Sequence, residues 1–192
     1  MHMTRIAYRT RESGYLMIEV LITMFILAIG LLGVVGLQAR SQQAETDSYQ
    51  RTQALVLLRD MADRISANRT AAFDTTTSPY KIGTSAPLGN GATKNCSAPV
   101  TTADIDLCAW SAELLGAAET SGGSNVGAMI GARGCITSPA LHTYLIQIVW
   151  QGLTPSAAPP ASVACGSGSY GASDDFRRAA TTIVQIGDIN AP

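Results

Sequence analysis

GYLMIEVLITMFILAIGLLGVVGLQ, Gly14 to Gln38, decides how the chain is read. From Tyr15 to Leu37 there is a single charge, Glu19. At about 1.5 Å per residue, a helix over this run is roughly 35 Å long, enough to cross a bilayer core of about 30 Å. A carboxylate inside such a span costs a few kcal/mol unless it finds a partner. Glu19 is therefore a functional residue by default, and the rest of the sequence has to explain it.

Towards the N-terminus lies a short polar leader, residues 1–14, with Arg5, Arg9 and Arg11. These arginines favour a cytoplasmic leader and a segment whose C-terminal end emerges on the other side. An ordinary secretory signal carries its small-residue cleavage site after the apolar core. Here the order is reversed. The small residue, Gly14, precedes the apolar run, and the run is long enough to stay in the membrane. Gly30, Gly33 and Gly36 recur at every third position in it, and small residues let membrane helices approach closely.

Towards the C-terminus the composition turns polar, yet no proline interrupts the chain before Pro79. Ala54, Leu58, Met61 and Ile65 fall on one helical face, widened by Leu55 and Ala62. Arg59 with Asp63, and Asp60 with Arg64, have the spacing of helical ion pairs. One helix is expected from Tyr15 to about Asn68, roughly 80 Å at the helical rise. Its first half, 15–37, would be transmembrane, and its second half would lay the apolar stripe on a sheet.

The remaining stretch, about 120 residues, suffices for one small domain. Residues 70–103 read as loop, with Tyr80 and Ile82 as anchors onto the core. Residues 104–118 return to helical spacing, with Asp104 capping the start and Leu107, Trp110, Leu114 and Leu115 sharing a face. A first strand is expected over 127–136. The clearest strand is Thr143–Gln151, TYLIQIVWQ. Tyr144, Ile146, Ile148 and Trp150 form one face of it, and the opposite face is mixed. A last strand is expected over 177–187. Three strands in an antiparallel meander against the helix give an α+β fold. The organisation is then leader 1–14, helix 15–69 and globular domain 70–192.

Cys96, Cys108, Cys135 and Cys165 all follow the anchor, and none forms a CxxC pair of the kind that binds metal. An even number beyond a membrane segment implies two disulfides in an oxidising compartment. Four cysteines allow three pairings, of which the sequential one, Cys96–Cys108 with Cys135–Cys165, is favoured here. The net charge is −1 and charged residues make up 14% of the chain, so no basic patch argues for nucleic acid. No catalytic triad, phosphate-binding loop or HExxH motif is present. His142 lacks partners for catalysis or metal. Asp174 and Asp175 read as a solvated turn leading into the last strand, with too few acids for a calcium site. The sequence thus argues against an enzyme and calls for no cofactor.

Gly14, Tyr15 and Glu19, followed by the apolar run, resemble the class III signal of type IV prepilins and pseudopilins. The resemblance implies that a prepilin peptidase cuts between Gly14 and Tyr15 and that Tyr15 becomes N-methylated. Tyr15 stands where the family usually has Phe, and Met17 where Thr or Ser is more common. It also implies that Glu19 meets an N-terminal amine, its own or a neighbour's, during assembly. GLLGVVGLQ, DMADRISANR, DLCAW, IVWQG and ACGSGSYG are similar to PilV-type minor pilins. That likeness implies a type IV pilin-like fold and a structural subunit of a pilus. Its place would be the inner membrane, with the C-terminal domain periplasmic, and then the pilus at the cell surface. Its partners would be other minor pilins, the major pilin and the inner-membrane assembly machinery. Adhesion, twitching motility or DNA uptake would follow through the pilus, without direct nucleic-acid binding. A minor pseudopilin of a type II secretion system shares the same signal, and a membrane-tethered adhesin or binding module is the more distant alternative.

Overall fold

The computed structural model describes residues 15–117, 119–125, 127 and 129–188, so the leader and Gly14 lie outside the described residues. One continuous helix, α1, runs from Tyr15 to Ala67. The chain divides into two compact units after Glu45. The first unit's described part is the apolar portion of α1. The second, from Thr46 onward, holds the end of α1 and all the remaining elements.

Within the second unit α1 is followed by a single turn, α2 (Arg69–Phe73), strand β1 (Gly83–Gly89) and helix α3 (Thr102–Leu114). A two-residue hairpin, β2 (Thr120–Ser121) with β3 (Ser124–Asn125), precedes strands β4 (Arg133–Ala140), β5 (Thr143–Gln151) and β6 (Arg177–Gln185). The main sheet is antiparallel in the order β1-β4-β5-β6. The long apolar N-terminal helix and small antiparallel sheet make this an α+β protein, consistent with the type IV pilin fold.

Ala54, Leu58, Met61 and Ile65 of α1 are at most 1% exposed, as the helical stripe requires. They meet the inner face of the sheet, where Ile136, Tyr144, Ile146, Ile148 and Trp150 join the same core. Helix α3 closes that core with Leu107, Trp110 and Leu114. The Trp110 indole donates to the Leu57 carbonyl at 3.0 Å, which ties α3 to α1 by a bond as well as by packing. Arg64 adds a second tie: it reaches Asp60 at 2.7 Å, Glu113 at 2.9 Å and Asp106 at 3.7 Å. The hydrogen bond that Arg64 donates to Asp60 leads in raising the guanidinium above its ordinary value. Arg59 and Asp63 are not among the ion pairs of the described residues.

The sheet has four strands where three were expected. Residues 83–89, GTSAPLG, read as loop by composition, yet they pair with β4 at its edge. The glycines and proline that weaken the strand signal are tolerated at an edge, where half of the ladder is unused. Gly89 has φ 83°, and a Cβ there would lie 2.6 Å from the Ala132 carbonyl oxygen. The strand expected over 127–136 is β4 and spans 133–140, because Gly131 and Ala132 belong to the turn that leads into it. Helix α3 starts two residues earlier than expected. Its cap is Thr101, whose hydroxyl accepts from the Asp104 amide at 3.1 Å while the Asp104 carboxylate accepts from the Thr101 amide at 3.2 Å. Asp104 is thus the far corner of a capping box. Its carboxyl is lowered to about 2, first by Lys94 and then by Thr101. Leu115 is 43% exposed because α3 ends at Leu114, so Leu115 leaves the buried face.

Part of the outer face of the sheet is covered as well. Val149 packs with Cys135, Cys165 and Tyr170 in a second, smaller core. Disulfides join Cys96 to Cys108 and Cys135 to Cys165, which is the sequential pairing. The second bridge fastens the long segment between β5 and β6 to β4. Gln147 on β5 assists by accepting from the Cys165 amide at 3.1 Å.

Candidate membrane-anchoring and assembly segment

The apolar part of α1 is exposed all the way round. From Met17 to Leu37, fifteen large hydrophobic side chains are 50–72% exposed. At about 1.5–3 kcal/mol per side chain, leaving them in water would cost on the order of 20–45 kcal/mol. Such a surface exists only under a cover of lipid or of other apolar helices. Among the described residues one helix is long and apolar enough to cross a membrane, and none of its apolar window is buried by the protein itself.

The polar groups within the span are few, and the helix handles them differently. The Thr23 hydroxyl donates to the Val20 carbonyl at 2.9 Å, so it needs no outside partner. Backbone bonds are closed within the helix, as a lipid environment demands. Glu19 is exposed between Ile18 and Val20. Tyr15 is the first residue of α1, four positions or about one turn before Glu19. Gly14 lies outside the described residues. A Cβ on Gly30, Gly33 or Gly36 would meet nothing within 4 Å, so this side of the helix is open to close approach.

The four cysteines stand apart from this segment, in the second unit. Cys135 and Cys165 are fully buried, whereas Cys96 is exposed. Their role in the described residues is to brace loops. His142 sits in the β4–β5 turn with φ 56°. Its ring stacks on Phe73 with centroids 4.1 Å apart, and Nδ1 lies 2.5 Å from the Phe73 carbonyl oxygen. It thereby joins the β4–β5 turn to the end of α2.

Asp174 corrects the reading of its stretch as a solvated turn. The residue is buried and has φ 56°. Its carboxylate accepts from the Gly168 amide at 2.9 Å through both oxygens, from Ser167 Oγ at 3.3 Å and from the Tyr170 amide at 3.4 Å. Arg177, 4% exposed, approaches it to 3.2 Å. The Gly168 amide leads in holding the Asp174 carboxyl below the usual carboxylate range, with Arg177 adding to it. Arg177 also donates to the carbonyls of Val163 and Cys165 at 2.6 and 3.0 Å. Tyr170 donates to the Gly131 carbonyl at 2.7 Å, and burial pushes its hydroxyl up to about 12. The signal available in the sequence was an Asp followed three residues later by an Arg inside a Gly/Ser-rich run. That pattern is too common to single out a buried hub.

Residues 36–108 match the family model described as Tt1218-like, type IV pilin Tt1218. No curated protein and no solved structure matches the chain. The match begins where the apolar run ends and continues through the packed half of α1, β1 and into α3 at Cys108. It excludes Gly14, Tyr15 and Glu19. The prepilin-like signal and the family match are therefore two separate pieces of sequence that point the same way. Together with the fold they support a type IV pilin and a pilin-type structural subunit, and the exposed apolar helix is compatible with membrane anchoring and a place in a pilus.

Proposed function

We propose that the chain is a minor type IV pilin of the PilV type, processed at Gly14–Tyr15 and assembled into a pilus through its N-terminal helix. The observation that carries this reading is Glu19. It is the one carboxylate in a helix surface of fifteen exposed apolar side chains, one turn from the residue that cleavage would make the N-terminus. A freed α-amino group at Tyr15 gives this acid a cationic partner of the kind an intramembrane carboxylate needs. The subunit waits in the inner membrane, with its second unit in the periplasm, until assembly machinery moves it. The apolar helix then exchanges lipid for the helices of the major pilin and other minor pilins. Adhesion, twitching motility or DNA uptake are properties of the filament it helps to start.

Mass spectrometry of the protein from cells containing a prepilin peptidase tests the reading. The expected N-terminus is methylated Tyr15, and a retained leader would refute it. Glu19→Ala should still insert in the membrane yet fail to enter pili. Incorporation at the wild-type level would remove Glu19 from the assembly step.

A further inference from the structure

The bridge between α1 and α3 holds more acid than base. Arg64 of α1 reaches Asp60 on its own helix and both Asp106 and Glu113 on α3. Three carboxylates thus share one guanidinium, and two negative charges are left over. The acids are not equally served. Asp106 accepts from the Tyr80 hydroxyl through its second oxygen, and that hydroxyl is itself held by Asn68 at 3.0 Å. Glu113 accepts from Arg64 at 2.9 Å through Oε1, but its Oε2 is buried and has no donor.

The neighbour that could answer Oε2 is another acid. Asp60 stands within hydrogen-bonding reach of the Glu113 carboxyl. Two ionised carboxylates in that position repel, whereas one proton between them turns the repulsion into a bond. No other charge intervenes. The remaining elements packed on α3 are β1 and β4. Strand β1 has no charged residue, and Arg133 of β4 is turned to Ser169 and the Tyr170 ring.

We propose that Glu113 is a pH-sensitive latch between α3 and α1. With a proton taken from solvent, Oε2 donates to Asp60 while Oε1 keeps Arg64, and the two helices are clamped. Loss of that proton replaces the bond by repulsion, and the clamp loosens. Burial first, and then the Asp60 charge, raise the Glu113 carboxyl above its ordinary value, against the pull of Arg64. The folded chain therefore holds this proton more tightly than the unfolded one. The contribution is complete below the unfolded value, about 4.3, and is lost as pH rises through the folded value. Its sign is opposite to that of Asp174. Helix α3 also holds the segment before it, through Cys96–Cys108 and the Lys94–Asp104 pair, so the latch sets how firmly that segment is kept. The inference uses neither Gly14 nor Glu19 and is independent of the processing reading.

Urea unfolding of the full chain in mild detergent, from pH 4 to pH 7, tests it by comparing wild type with Glu113→Gln. The Gln amide keeps an acceptor for Arg64 and offers Asp60 a donor at every pH. Its folding constant should match wild type at pH 4 and exceed it by about two- to fivefold at pH 7, the range of a partly exposed charge pair. Titration of Asp174 is common to both chains and cancels in the ratio. In an Asp60→Asn background, Glu113→Gln should bring no gain at pH 7, because the Asn amide already offers Oε2 a donor. Retention of both disulfides by peptide mapping would show that the variants are folded. Should Glu113→Gln fail to fold, the carboxyl ¹³C titration of Glu113 decides: its midpoint should fall on Asp60→Asn, and an unchanged midpoint would overturn the latch. A ratio that does not change with pH, or the same gain in the Asp60→Asn background, would overturn it equally.

Discussion

Replacing Asp174 by Ala and by Asn separates the two things that residue does. The Ala variant deletes every acceptor presented to Gly168, Ser167 and Tyr170, and it leaves Arg177 without its carboxylate. Breaking a buried ion pair from one side costs about 3–5 kcal/mol. Arg177 keeps the Val163 and Cys165 carbonyls, which moves the expected loss toward the lower end of that range. A left-handed backbone adds about 1–2 kcal/mol for a residue other than Gly, Asn or Asp. The total for Asp174→Ala is about 4–5 kcal/mol. Asp174→Asn keeps the backbone preference and one acceptor for Gly168 but loses the charge, for about 1–3 kcal/mol. Urea unfolding of the full chain in mild detergent, followed by the fluorescence of Trp110 and Trp150, would read both values. The dependence on pH supplies a second axis. The folded carboxyl lies below its unfolded value, near about 3.9, so its contribution is complete above that pH and is lost as pH falls through the folded value. The gap between wild type and Asp174→Asn should hold from pH 5 to 7 and shrink below about 4. Variants within about 0.5 kcal/mol of wild type would refute the assignment of Asp174 as a buried hub.

The remaining predictions concern packing and the disulfides. A Cβ on Gly134 would run into the Trp110 indole and lie 2.8 Å from Leu114 Cδ1, so Gly134→Ala should cost about 1–3 kcal/mol and shift the emission of Trp110. Denaturation and fluorescence spectra would check it. Replacing Cys135 and Cys165 together by Ser opens a loop with a sequence separation of 30 residues, for about 3–4 kcal/mol in calorimetry. Under graded reductant, Cys96–Cys108 should open first because Cys96 is exposed while Cys135 and Cys165 are fully buried. Peptide mapping after timed alkylation would show the order.

Much of this fold was legible because its strongest elements carry their own periodicity. The stripe Ala54, Leu58, Met61 and Ile65 marks a packed helix, and the alternation in TYLIQIVWQ marks β5 to the residue. What escaped was structure held by long-range pairing. Strand β1 has the composition of a loop and becomes a strand only because β4 offers it a ladder. Asp174 looks like any acid in a polar turn until the loop folds Gly168, Tyr170 and Arg177 around it. The partly covered outer sheet face was half legible: Val149 and Gln147 gave mixed signals because one joins an apolar patch and the other bonds the Cys165 backbone. In the anchoring segment the residue types could be read directly, since Tyr15, Glu19 and the run after them are neighbours in sequence.

On the pilin reading, the exposed half of α1 also limits how assembly can proceed. A penalty on the order of 20–45 kcal/mol for wetting this helix exceeds what specific contacts in a typical complex supply. The helix cannot pass through water on its way from bilayer to filament, so lipid must be exchanged directly for apolar protein. That exchange is nearly neutral for Leu, Ile and Val, because lipid chains and such side chains are about equally apolar. It gives little reason to leave the membrane. Glu19 is different: it is poorly served by lipid and gains wherever a neighbouring amine is offered. A single acid can thus favour the filament over the bilayer while the surrounding apolar surface keeps both states dry. By this argument Glu19→Gln, which keeps the size and polarity but not the charge, should impair assembly almost as severely as Glu19→Ala. Quantifying the subunit in sheared pili against the membrane fraction would test it, and normal incorporation of the Gln variant would show that charge is not what directs the exchange.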